Sequence, residues 1–297
     1  MTAVITVPAY LDEQSFEQVL EQLAPLAPDA KVLVDARHTR FATPYGLTGL
    51  LCLAQSRAEK ADFAPPADDE VKSYWARSAF FRYAEELYTM RGPVPRPRAQ
   101  QDSDVLLEVT PIAKSEDVHE VVERVKDRAT HILTNRLHLE ARATMGFAMS
   151  LSEACQNIVE HAGRGGWVGV QVYNWAKRRV GRQVVVIAVA DAGQGFRRSL
   201  ESTRVRGLAG ERWNDAAALD AAATQGFSRH SEPGRGQGLR GIKGYAHRHD
   251  GRFSIRSGTA RMVFPPSWDD SLALEEGLPA FAGAQLQIII PERAEGA

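Results

Sequence analysis

Glu153, Asn157 and His161 follow one another at intervals of four residues, so a helix would stack them one turn apart on a single face. From Ala148 onward the apolar positions Leu151, Cys155, Ile158 and Ala162 recur at helical spacing, with Glu153, Asn157 and Glu160 roughly opposite. One face packs, and the other is left for chemistry. A carboxylate one turn from a carboxamide supplies a general base for a hydroxyl or water, together with a hard oxygen ligand for a magnesium ion that keeps most of its waters. Asp191 ends the apolar run Val184 to Ala190, so a buried strand delivers one carboxylate to a pocket edge, where it can accept a hydrogen bond from an adenine amino group. Gly193 and Gly195 then remove side chains where a base or ribose must approach the backbone, and permit positive φ. Gly234, Gly236 and Gly238 precede the helical pattern Leu239, Ile242, Tyr245 and Ala246, and free amides at a helix start attract phosphate.

Taken singly, each glycine box reads as a turn. Their order changes the reading: a helix with Glu153 and Asn157, a strand ending in Asp191, a long gap, then glycines opening a helix together point to a nucleotide site. His161 is read as a cap or packing residue with Gly163 close behind it, and Glu160 as a solvated or ion-paired carboxylate. Arg235, Arg240 and Lys243 lie near the glycines as candidate phosphate cations, and Arg235 is the one chosen.

In these boxes the chain resembles the superfamily of gyrases, heat-shock chaperones, histidine kinases and mismatch-repair ATPases that shares the Bergerat ATP-binding fold, over about residues 106 to 293. Ser152-Glu-Ala-Cys-Gln-Asn-Ile-Val-Glu-His161 looks most like the anti-sigma-factor serine kinases. The resemblance implies an α/β sandwich with a mixed sheet, Glu153 as general base, Asn157 as magnesium ligand, and Asp191 with Gly193 and Gly195 toward adenine. It places Gly234, Arg235, Gly236, Gly238 and Leu239 toward the phosphates, with ATP and magnesium as cofactors. Residues 197–233 would form a lid that closes over the γ-phosphate; a helix at Trp213 to Ala223, rich in alanine and poor in large apolar residues, suggests weak packing and mobility. Two departures stand out. Gly283-Ala284-Gln285 replaces the family's closing Gly-Thr, which removes a hydroxyl expected near the phosphates, and residues 260–282 form an insertion where the family has a tight turn.

Residues 1–91 read as a second unit, which makes the chain a two-domain α/β protein. Val4 to Val7 and Lys31 to Asp35 have strand character, Glu13 to Ala24 and Leu47 to Lys60 helix character, and the alternation implies a small α/β sandwich. Lys31-Val-Leu-Val-Asp35 followed by Thr43-Pro-Tyr-Gly46 resembles the anti-sigma-factor antagonist (STAS) fold. Pro44 occupies the place of that family's phosphoacceptor serine, so the usual phosphoryl switch is not expected there. The aromatic stretch Ser73 to Phe81 is read as core. A Pro/Arg-rich spacer, residues 92–105, joins the units, and Glu116 to Thr134 reads as a charged amphipathic helix leading to the Glu153 helix; in kinases of the superfamily such helices can pair subunits, so a homodimer is an open expectation.

With 36 Lys and Arg against 37 Asp and Glu, the chain has no global pull toward nucleic acid or an anionic membrane. No apolar run approaches membrane-spanning length, and the N-terminus lacks a signal-peptide pattern, so a cytoplasmic protein is expected. Cys52 and Cys155 have no metal spacing and read as buried thiols. The expected function is a magnesium-dependent, ATP-binding signalling regulator of anti-sigma type that phosphorylates a serine or threonine of a protein partner, a sigma factor or STAS-like protein being the candidates. The alternatives are an ATPase switch and a non-catalytic nucleotide-binding regulator. No helix pair presenting a phosphoacceptor histidine is read before Glu153; His119, His131 and His138 have only solvated-face readings.

Overall fold

The computed structural model describes residues 2–95, 106–112, 118–162, 165–175, 181–201, 213–225 and 237–293; the side chains of residues 106, 107, 118, 120, 121, 157–162 and 237 are outside that description. The protein is α/β, with a parallel sheet built from the first ninety residues and an antiparallel sheet built from the rest.

In the first unit β1 (Ala3–Thr6), β3 (Val32–Asp35), β5 (Asp62–Ala64) and β6 (Thr89–Met90) pair in parallel in that order. The two-residue strands β2 (Tyr10–Leu11) and β4 (Phe41–Ala42) make a separate parallel ladder. The helices are α1 (Phe16–Leu23), α2 (Pro44–Ser56), α3 (Asp69–Arg77) and α4 (Phe80–Leu87). Helix α1 starts later than its apolar pattern suggests, because the Asp12 carboxylate accepts the amides of Gln14 and Ser15 and closes a turn first. Helix α2 starts earlier, at Pro44. Thr43 is its N-cap and accepts the Gly46 amide, while proline's fixed φ suits the first helical position. What reads in sequence as a phosphoacceptor-like loop is therefore the first turn of a helix. Trp75, Phe80 and Phe81 are buried, as expected for core aromatics.

The second unit contains β7 (Leu106–Ile112), α5 (Val118–Asn135), α6 (Ala141–Ala162), β8 (Gly166–Asn174), β9 (Gln183–Asp191), α7 (Gly195–Ser199), α8 (Asp215–Ala223), α9 (Gln237–Arg248), β10 (Arg252–Phe264) and β11 (Leu274–Pro291). The sheet order is β10-β11-β9-β8-β7, and every described pair is antiparallel, so the mixed sheet expected for this unit is not found. The connections explain it. Two helices, α5 and α6, carry the chain away and back between β7 and β8, while β8 and β9, and likewise β10 and β11, are sequence neighbours that pair with each other. The insertion expected at 260–282 is mostly strand as well: β10 runs on to Phe264 and β11 begins at Leu274, with the register shifting around Gly258.

Strand β9 is buried on both faces. Val185, Ile187 and Val189 join the core beneath α5, α6 and α9, whereas Ala188 and Ala190 join the first unit's core beside α2. The face toward α2 is lined by small residues, and a Cβ on Gly169 would stand 3.4 Å from the Pro44 Cβ, so α2 can lie close against the sheet. This is why α2 is buried from Pro44 to Ala54.

Ion pairs cross the same junction. Arg252 Nη2 lies 2.5 Å from Glu13, Arg256 Nε 2.8 Å from Glu17, and Arg261 Nη2 2.5 Å from the same Glu17. All five side chains are nearly or fully buried. Such pairs barely offset their own desolvation, but an unmatched pairing strands a buried charge, so they select one docking geometry.

Candidate functional site

Asp191 closes β9, and strand alternation gives it the parity of Val185, Ile187 and Val189, the residues that pack beneath α6 and α9. Its carboxyl is buried, and this pushes its pKa up from 3.8 to about 7, against the lowering effect of amides from Gly193 and Ala284. The Gly193 amide donates to Oδ1 at 2.8 Å. Gly193 therefore contributes a donor, while Gly195 has the positive φ, +72°, and leads into α7. A Cβ on Gly195 would meet Ser257 Oγ at 2.7 Å. Ser257 holds this corner together: its hydroxyl donates to the Gly283 carbonyl at 2.8 Å and accepts the Phe196 amide at 3.1 Å.

Ala284 pairs with Asp191 across β11 and β9, so the hydroxyl missing from the closing motif is missing beside Asp191, whereas the sequence reading puts it near the phosphates. Antiparallel register decides this. Ser257 is the contributor that sequence reasoning missed, since a single serine in a strand carries no local signal.

Glu153 is half-buried on α6, and Gly238 of α9 backs directly onto its turn. A Cβ at 238 would stand 3.1 Å from the Ser150 carbonyl oxygen and 3.3 Å from the Glu153 Cβ, so the last glycine of one box touches the helix that carries the other. Leu239 packs both on the main core and on a small cluster with Leu200, Trp213 and Ala218. Asn157 is on α6 one turn beyond Glu153, but its side chain is outside the described residues, as are Gly234, Arg235 and Gly236 altogether. Of the other candidate cations, Lys243 lies over the Phe264 ring at 4.2 Å and Arg240 is exposed.

The expected lid is described at residues 197–201 and 213–225. Its helix α8 is not weakly packed. Ala216, Ala218, Leu219 and Ala221 to Ala223 are buried, and the Asp215 carboxylate accepts both the amide and the hydroxyl of Thr259 at 2.9 Å. Alanines make the helix poor in bulk yet allow it to lie close to β10.

Cys52 and Cys155 are free and buried, and burial pushes the Cys155 thiol up to about 12. Among the described residues no three His, Cys, Asp or Glu side chains form a metal-binding group, and no helix is long and apolar enough to cross a membrane. No family model, curated protein or solved structure matches the chain.

Proposed function

We infer that this protein is a magnesium-dependent, ATP-binding regulatory protein of the Bergerat type with a STAS-like unit attached, acting in the cytoplasm as a serine/threonine kinase on a protein partner. The observation that carries the reading is the contact of Gly238 with the Glu153 turn, on the same sheet face as Asp191. Boxes far apart in the chain meet either because they bind one ligand or because they simply pack, and the buried strand-end carboxylate favours the ligand. Its ionised form costs free energy in this setting, and an amino group donating to it would relieve that cost.

In this reading Asp191 orients the adenine, Gly193 and Gly195 shape the turn beside it, and Glu153 takes the proton from the attacking hydroxyl. Magnesium at Asn157 would neutralise charge on the phosphoryl oxygens. The partner is a STAS-like protein or a sigma factor.

A second reading, an ATPase switch, is favoured by the packing of Ala188 and Ala190 against the first unit: the strand that ends in Asp191 is also the floor on which α2 rests. Nucleotide state could then be passed to the first unit along β9.

Incubating the purified protein with labelled ATP, and measuring free phosphate and labelled protein separately, tests both readings. Label on an added STAS-like protein supports the kinase, and free phosphate alone supports the switch. Absence of ATP binding removes both.

A further inference from the structure

A cavity of about 640 Å³ opens between the two units, on the sheet face away from Glu153 and Asp191. Tyr10, Phe41, Trp175 and Trp268 contribute its aromatic lining, and Asp12, Glu13, Asp269 and Arg252 its charged lining. Its size falls in the range of small-molecule sites, and such sites favour domain junctions.

The aromatic groups are held in place. Phe41 meets Tyr173 edge-on with ring centres 5.5 Å apart, and Trp268 Nε1 donates to the Asp250 carbonyl at 2.7 Å. Tyr10 is 60% exposed at the rim, a large aromatic surface left in water.

The charge has one dominant sign. Among the described lining residues three carboxylates face one guanidinium, and that guanidinium is already engaged: Arg252 Nε with Asp269 at 2.6 Å, Nη1 with Ser254 at 3.0 Å, Nη2 with Glu13 at 2.5 Å. An anion finds no open partner in it. The carboxylates are engaged too, since Asp12 accepts the Gln14 and Ser15 amides and Asp269 accepts from Ser271. Among the described lining residues the remaining charge is negative and lies beside aromatic side chains, which suits a cation that donates no hydrogen bonds.

We propose that this cleft binds a small quaternary ammonium compound. It is independent of the nucleotide reading, because its residues lie on the opposite face of the sheet.

The test uses the full chain titrated with choline, followed by calorimetry and tryptophan emission, with the uncharged isostere in which carbon replaces the nitrogen as the control. Choline should bind saturably, the isostere at least about tenfold more weakly, and Tyr10→Ala and Asp12→Asn should each weaken choline about threefold to tenfold. Tyr10 is exposed and Asp12→Asn keeps an oxygen that can close the turn, so both variants should fold. Absence of saturation, equal affinity for the isostere, or unchanged affinity in both variants would overturn the proposal. So would binding of a trimethyl-lysine peptide where choline fails, since the occupant would then be a protein.

Discussion

Gly283 lies so close to Asp191 that a Cβ on it would stand 2.0 Å from the Asp191 carbonyl oxygen and 2.6 Å from Oδ1. Its φ of +90° is the conformation that brings β11 alongside the end of β9, and only glycine adopts it cheaply. The strand-end carboxylate is thus enclosed by backbone from two strands.

Gly283→Ala should lower stability by about 2–4 kcal/mol, from left-handed strain and overlap with a backbone that cannot move aside. Urea unfolding measures it, and a loss below about 1 kcal/mol would contradict the geometry.

Asp191→Asn should weaken ATP by about 1.5–3 kcal/mol, the worth of one charge-assisted hydrogen bond, while the protein stays folded. Calorimetry giving equal affinity for both proteins would remove Asp191 from the site.

The raised pKa of Asp191 makes stability depend on pH in one direction. The folded protein holds this proton up to about pH 7 and the unfolded chain only to 3.8, so the stability it contributes is complete below 3.8 and is lost as pH rises toward 7. Without nucleotide, wild type should therefore lose stability relative to Asp191→Asn between these two values, by on the order of 4 kcal/mol, and run parallel to it above them. Parallel curves throughout would mean an ordinary carboxyl.

Glu153→Ala should keep magnesium-ATP and lose turnover, whereas Asn157→Ala should lose magnesium-dependent binding as well. Phosphate release and binding, measured separately, distinguish them; undiminished release by the Glu153 variant favours a non-catalytic role.

No phosphate should appear between residues 2 and 90 after incubation with ATP. Thr39, Thr43 and Tyr45 are all buried, and Pro44 has no hydroxyl. Mass spectrometry of those peptides reads the result, and stoichiometric phosphate on any of the three would show that the unit undocks to become a substrate.

Local pattern was enough for the elements that obey it. Helix α5 at Val118–Asn135 follows its apolar spacing, β9 reads as a strand buried on both faces, and Cys52 and Cys155 are buried as their neighbours suggest. Periodicity reports which face of an element is apolar, and says nothing of what covers it. Strand direction in the second sheet, the strand character of much of 260–282, and the placing of α2 against β9 all depend on partners far away in the chain. Glu13 and Glu17 show the limit best. In sequence they are polar residues at the start of a helix, and only the fold sets them, buried, against Arg252, Arg256 and Arg261, because a charge can leave water only where another element supplies its opposite.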